Sequence, residues 1–357
     1  MAIKKFLKML VDQDASDLFL RAGGIPRLRL GGKVVPLDEP VLTMEEVMQV
    51  TEELTTLKQR EVFKNNLDVD FAIYLNEFNR RFRVSVFMQR NWPSIVIRNV
   101  RSSTQTFEDL NLPAEVLKSL ASERSGLVLL TGSMGSGKST TIASMIEYIN
   151  STANKHILTL EEPIEFTFSD KKSIINQREL GIDVTSYATA LRTSTLQSPD
   201  VIYIANIRDA ETMNSAMTAA ETGVLVLSTL HTVNAPKTVE RIVNFFPPHE
   251  HQEIKNRLSS LLKGVISLRL TPKSDGSGRV PAYEVMLLTP TISRLIRESK
   301  VWEIPQYIEE GGIFGMQSFT QSLVKLVREN KVSEEDAAGF SDNKEEFNLV
   351  LRGIKKS

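Results

Sequence analysis

The chain has 357 residues, 41% of them hydrophobic and 24% charged, with 43 basic side chains against 44 acidic ones and a formal net charge of −1. That length favours two domains, each with its own core, and no apolar run approaches the roughly 18 to 20 residues that a bilayer-crossing helix needs. The absence of cysteine excludes disulfides and thiolate zinc sites, four scattered histidines argue against a structural metal, and the near-neutral charge argues against a broad electrostatic footprint for nucleic acid.

The N-terminal MAIKKFLKMLVDQ sets lysines and apolar residues at helical spacing and lacks a small-residue cleavage site. It reads as an amphipathic helix of the mature protein, not a signal peptide, and the protein is expected in the cytoplasm. Strand-like pieces follow at DLFLR, RLRL, DFAIYL (70–75) and RFRVSVFMQR (81–90). The last alternates, with Phe82, Val84, Val86 and Met88 on one face and Arg81, Arg83, Ser85 and Gln89 on the other, so one face packs and the other presents cations. Helical patterns at 43–54 and 57–64 complete a small α/β domain with an antiparallel sheet over residues 1–100.

Residues 101–113, RSSTQTFEDLNLP, lose periodicity and collect Ser, Thr, Asn and Pro, which predicts a linker. A second domain is expected over 114–357. In it, buried-looking strands (LVLL, HILTL, VIYIA, VLVLST) alternate with helical stretches, the pattern of a mostly parallel sheet covered on both faces. Beyond about Pro290 the pattern is helical, with SLVKLVREN and EEFNLVLRG as the last amphipathic stretches.

The stretch TGSMGSGKST carries G-x-x-x-x-G-K-S between the strand LVLL and a helical run, the strand–loop–helix setting that a phosphate-binding loop requires. Gly132, Ser133, Met134, Gly135, Ser136 and Gly137 form the loop, its backbone N–H groups turned towards phosphates; Lys138 would reach the β and γ oxygens, Ser139 would ligate Mg²⁺, and Thr140 continues into the helix. ATP with Mg²⁺ is the expected ligand. At the end of HILTL, the segment EEPIEF puts Glu161, Glu162 and Glu165 at the sheet edge where ligands of open α/β folds bind, one strand from the phosphate loop; alone it would read as a solvated acidic turn. The strand VIYIA ends in Asn206, where enzymes of this kind carry an acidic residue that handles the attacking water; an amide can orient water but cannot take its proton. VLVLSTLHT delivers His231 to the same edge, either as a structural histidine or as a γ-phosphate sensor.

These pieces together resemble the type IV pilus retraction ATPases, the PilT/PilU group of the secretion ATPase superfamily. The matching segments are ASDLFL, RFRVSVFMQR, GSMGSGKST, LEEPIEF, INQRELGID, AETG with STLHT, TISRLIRE (291–298) and GMQSF, spread over nearly the whole chain. The resemblance implies a PAS-like N-terminal α/β domain and a RecA-like P-loop ATPase domain with a helical C-terminal part. It also implies a hexameric ring binding Mg-ATP between subunits at the cytoplasmic face of the inner membrane, where an inner-membrane pilus platform protein and a paralogous retraction ATPase are the partners.

By the same resemblance Glu161 is the catalytic carboxylate of an aspartate box, STLHT ends a histidine box, and Arg81, Arg83 and Arg98 reach a nucleotide, unless they only form a solvated cationic face. TISRLIRE resembles the retraction-associated AIRNLIRE motif; Ile292, Leu295 and Ile296 read as packing residues and Arg294, Arg297 and Glu298 as contact candidates. The chain departs from the family at Ala205-Asn206, where Gly-Glu is usual, at Val224 for a histidine, and at Leu196 and Ser198 for a polar pair. The resemblance thus leaves two readings open, a retraction motor and an accessory ring subunit with attenuated hydrolysis. An assembly or export ATPase, usually bearing a tetracysteine zinc insertion, is disfavoured, as is a DNA motor.

Overall fold

A computed structural model describes residues 2–78, 80–100 and 104–354. The chain divides into two compact units, one from the N-terminus to residue 103 together with Glu165–Thr167, the other from Thr104 onwards without those three residues. Among the described residues no helix is long and apolar enough to cross a membrane.

In the first unit, helix α1 (Ala2–Asp12) precedes strands β1 (Asp17–Arg21), β2 (Arg27–Leu30) and β3 (Lys33–Pro36); helices α2 (Met44–Leu54) and α3 (Leu57–Asn66) follow, then β4 (Asp68–Leu75), β5 (Arg80–Gln89) and β6 (Trp92–Asn99). Thr43 and Thr56 close capping boxes at the starts of α2 and α3, satisfying donors that a helix N-terminus otherwise leaves open. The sheet is antiparallel throughout, in the order β3-β2-β1-β6-β5-β4. Phe82, Val84 and Val86 of β5 pack with Ile3, Leu7 and Leu10 of α1 and Val47, Val50 and Leu54 of α2, and each such buried side chain contributes on the order of 1.5 to 3 kcal/mol. The two-residue alternation of β5 is thus the inside–outside pattern of the domain. Strands β3 and β6 were not expected from the sequence; β6 opens on Trp-Pro, and its apolar run SIVI is too short to show a period.

The second unit begins earlier than the sequence suggests. Residues 104–113 belong to it, with Phe107 and Leu112 buried in its core, while the rest of the expected linker, 101–103, lies outside the described residues. Helix α4 (Ala114–Ala121) leads to β7 (Gly126–Thr131), α5 (Lys138–Thr152), β8 (His156–Glu161), β9 (Ile174–Glu179), α6 (Tyr187–Ser194), β10 (Val201–Ile204), α7 (Ala210–Glu221), β11 (Leu225–Leu230), α8 (Ala235–Val243) and α9 (His251–Leu261). The hairpin β12 (Leu262–Pro272) and β13 (Arg279–Leu287) precedes α10 (Pro290–Arg297), α11 (Ile304–Glu310), α12 (Phe319–Arg328), α13 (Glu334–Phe340) and α14 (Lys344–Leu351).

The seven strands run β13-β12-β7-β11-β10-β8-β9, parallel except for the β12–β13 pair. Their continuous apolar runs are explained by cover on both faces. Leu127 and Leu129 of β7 pack with Met213, Val239, Ile254 and Leu295 from α7 to α10, whereas Val128 and Leu130 pack with Leu117, Ile142 and Met145 from α4 and α5. Helices α12 to α14 close over Val280 and Ala282 of β13.

Candidate nucleotide site

Strand β7 ends at Thr131, residues 132–137 turn, and α5 starts at Lys138. Gly132 has φ of 140°, and a Cβ there would stand 2.5 Å from the Leu268 carbonyl oxygen of the neighbouring β12, so only glycine lets the chain leave the sheet at this point. Gly137 precedes α5 with φ of 101° and no side chain caps the helix, which leaves its first N–H groups for a ligand. Lys138 is buried, and its Nζ donates to the carbonyls of Gly132 and Ser133, each at 2.8 Å. The ammonium therefore lies folded across its own loop. The buried Ser136 Oγ has no hydrogen-bond partner among the described residues. A glycine cradle, a held cation and an orphaned hydroxyl fit a polyphosphate with its magnesium ion; Ser139 and Thr140 are half-buried in the first turn of the helix, and Met134 is exposed.

The acidic segment lies farther along the sheet than expected. Strand β8 follows β7 in sequence, yet β11 and β10 stand between them, because the later crossovers place their strands inside the pair. Glu161 is buried at the end of β8, accepting from Thr159 Oγ1 at 2.6 Å and from Gln177 Nε2 at 3.1 Å. Glu162 is exposed and pairs with Arg208 at 3.3 Å, and Glu165 is exposed.

Asn206 follows β10, held against β11 by the Ile207 N–H on the Thr229 carbonyl at 3.2 Å and by the Thr229 hydroxyl on the Ala205 carbonyl. It is 9% exposed, and its Oδ1 is buried with no hydrogen-bond partner among the described residues. His231 follows β11. Partial burial, then the charges of Lys138 and Arg208, push its pKa below the ordinary 6.5, so the imidazole is neutral at pH 7. The lysine of the phosphate loop and the arginine of the Asn206 turn therefore both act on the same histidine.

Tyr187 of α6 joins them. Burial first, then the charges of Glu162 and Glu161, against Arg208, hold its phenol well above the usual range, and its buried hydroxyl has no hydrogen-bond partner among the described residues. Lys138, Glu161, Glu162, Tyr187, Arg208 and His231 thus share one electrostatic neighbourhood at the C-terminal edge of the sheet, where open α/β folds bind ligands. Sequence reasoning missed Tyr187 and Arg208. Arg208 was within reach, two residues after Asn206; Tyr187 is a lone aromatic in a helical stretch and carried no signal.

The arginine candidates stand on the first unit's sheet. Arg83 and Arg98 face each other across β5 and β6, and Arg81 is opposite Tyr74 of β4. Arg98 donates to the buried Asp17 at 2.8 Å, Arg29 to the same carboxylate at 3.1 Å, and Arg83 lies 3.8 Å from Asp70. Although burial raises the Asp17 pKa, the hydrogen bonds from Arg98 and Ser16 and the two guanidinium charges bring it below the ordinary 3.8. The sequence gives no hint that Arg98 is engaged in this way. In α10, Ile292, Leu295 and Ile296 are fully buried, while Arg294 and Glu298 pair at 3.2 Å.

The chain matches the family model described as type II/IV secretion system protein over residues 1–339. It is 38% identical to the type IV pilus ATPase PilU of Pseudomonas aeruginosa over 352 residues, covering 99% of this chain and 92% of that one. It is 42% identical to the type IV pilus retraction ATPase PilT of the same organism over 337 residues, covering 94% and 97%. A crystal structure of the pilus retraction motor PilT with bound ADP superposes with a TM-score of 0.89 at 41% identity, covering 96% of this chain and 98% of that one. With an intact phosphate loop at the edge of a seven-stranded sheet and full-length likeness at this level, the chain belongs to the type II/IV secretion system protein family, among the pilus retraction ATPases of the PilT/PilU group.

Proposed function

We propose that this chain is an ATP-hydrolysing subunit of a type IV pilus retraction machine, acting as a hexameric ring on an inner-membrane platform protein at the cytoplasmic face of the membrane. The observation that carries the reading is the shared neighbourhood of the buried Lys138, His231, Arg208 and the two glutamates around an uncapped helix start. Residues 132–140 hold the phosphates, with Lys138 released from its own carbonyls onto the β and γ oxygens, and Ser139 holds Mg²⁺. When bound, the ion neutralises charge that develops on the phosphate oxygens. Glu161, already hydrogen-bonded by Thr159 and Gln177, orients or deprotonates water, with Glu162 beside it; neutral His231 accepts or donates one hydrogen bond at the γ position. Arg81, Arg83 and Arg98 of an adjoining subunit complete the charge balance, Arg98 after exchanging Asp17 for phosphate.

A second reading rests on Asn206. An amide there can hold water through its unpartnered Oδ1 but cannot accept a proton, which favours an accessory subunit with attenuated hydrolysis working beside a paralogous motor. One set of variants separates the readings. Lys138→Ala abolishes ADP binding by titration calorimetry if residues 132–140 are the site; unchanged affinity removes them from it. Asn206→Glu raises kcat at least about tenfold, some 1.4 kcal/mol of barrier, at constant affinity if the subunit is attenuated. A native rate equal to that of Asn206→Glu leaves the ordinary motor as the function.

A further inference from the structure

A buried carboxyl group that the proposed chemistry does not touch lies two strands from β7, the strand that leads into the phosphate loop. Glu284 of β13 is 7% exposed. It stands directly opposite Ser267 of β12, which in turn stands opposite Thr131 of β7, so the three side chains form one row across three adjacent strands. The row is bonded throughout. Thr131 Oγ1 donates to Ser267 Oγ at 2.9 Å, Ser267 Oγ makes a long contact to Glu284 Oε1 at 3.5 Å, and Glu284 Oε1 accepts the Ala235 N–H at 2.7 Å. Thr131 and Ser267 are fully buried, so water does not substitute for these partners.

The two ends of the row have separate duties. Thr131 is the residue before Gly132, where the phosphate loop begins. Ala235 is the first residue of α8, and its N–H is one of the donors that a helix leaves open; the segment before it, 231–234, begins with His231. Arg269 of β12 holds the same segment from the other side, with Nη2 3.5 Å from the Val233 carbonyl, and pairs with Asp342 at 2.7 Å.

We propose that Glu284 is a positioning residue for the nucleotide site: through Ser267 and Thr131 it ties the phosphate-loop strand to the start of α8, so that displacement of the loop by nucleotide is passed to the His231 segment. The reason lies in the geometry of the sheet. Strands β7, β12 and β13 are hydrogen-bonded along their length, while 231–234 is a connection held otherwise by the Asn234 cap on the Lys237 N–H, the Thr232–Thr238 hydroxyl pair and Arg269. Losing the Ala235 bond would cut the link between the row and the start of α8, which its Asn234 cap still holds, and weaken the hold on the segment that carries the imidazole. This inference rests on the nucleotide-site reading above and adds a residue that neither the phosphate loop nor the acidic segment contains.

The test uses the full-length protein and compares turnover with affinity. Glu284→Ala is expected to lower kcat at least tenfold while ADP affinity stays within about threefold, and Glu284→Gln, whose amide oxygen still accepts the Ala235 N–H, restores kcat to within about threefold of native. Ser267→Ala, which cuts the row and leaves the Ala235 bond, is expected to lower kcat about threefold. A folded Glu284→Ala protein with native kcat overturns the proposal, as does Glu284→Gln as slow as the alanine variant. If Glu284→Ala does not fold, native kcat in Ser267→Ala overturns it instead. Intact ADP binding in Lys138→Ala would sink the underlying site, a result independent of these.

Discussion

Glu284 also gives the protein a pH-dependent stability that can be worked from its surroundings. Burial pushes its pKa up from the ordinary 4.5 to about 7, partly opposed by the Ala235 N–H and Arg269 and reinforced by the charge of Asp342. The raised value means that the folded state favours the neutral acid. Below pH 4.5 the folded and unfolded states are both protonated there and no penalty applies. Between 4.5 and about 7 the unfolded chain releases its proton first, so stability falls as pH rises, and above about 7 the whole loss is in place. The rise from 4.5 to about 7 is worth about 3 kcal/mol. For a domain of this size 1 kcal/mol moves Tm by about 2 to 4 °C, so the group accounts for roughly 6 to 12 °C. Glu284→Gln carries no charge at any pH and keeps the Ala235 bond. Calorimetric scans of both proteins from pH 4.5 to 8 should therefore diverge, the glutamine variant gaining those degrees over native as pH rises. A difference in Tm that stays flat across this range would refute the assignment of a buried, titrating carboxyl group.

Gly132→Ala places a methyl group against the Leu268 carbonyl oxygen at a φ of 140° that costs an L-residue roughly 1 to 3 kcal/mol, so ADP affinity should fall at least about tenfold by titration calorimetry; native affinity would contradict the tight exit from β7. Tyr187→Phe removes a buried hydroxyl without a hydrogen-bond partner, and thermal unfolding in the absence of nucleotide should show equal or higher stability, by up to about 1 kcal/mol; a clear drop would reveal a partner for that hydroxyl. Asp17→Asn weakens the bonds to Arg29 and Arg98, whose heads are partly exposed, and should cost the first unit about 1 to 2 kcal/mol. Because the Asp17 pKa is lowered, its contribution is present above pH 3.8 and disappears as pH falls below it, so native and variant should converge in acid.

Local signals in the sequence carried most of the fold that positions the site. The alternation of RFRVSVFMQR gave the two faces of β5, and the continuous apolar runs of β7, β8, β10 and β11 gave a sheet covered on both sides. The glycine spacing of 132–137 was legible as a motif, and at Gly132 a positive φ and a close carbonyl leave no other residue type. Strand β9, IINQRE, was not legible, since its polar residues serve neighbours: Gln177 reaches Glu161, and Glu179 accepts the Ile164 N–H at 3.2 Å. The hairpin β12–β13 escaped for another reason. Its residues carry no nucleotide motif, and their register against β7 is a long-range property.

The same distinction governs the site. Chain order made Glu161 look like a neighbour of the phosphate loop, but sheet order inserts β11 and β10, and it is these strands that bring Asn206 and His231 between the lysine and the glutamate. Asn206 therefore falls between the phosphate loop and Glu161 along this edge, at a buried position; in the function proposed above, an amide in place of a carboxylate there affects proton transfer more than binding. Lys138, the glycines and the start of α5 come from the β7–α5 turn, backed at Gly132 by the Leu268 carbonyl of β12, whereas Asn206 and His231 come from the ends of β10 and β11. On the accessory reading proposed above, such a subunit loses speed and still passes nucleotide state through the proposed Thr131–Ser267–Glu284 row.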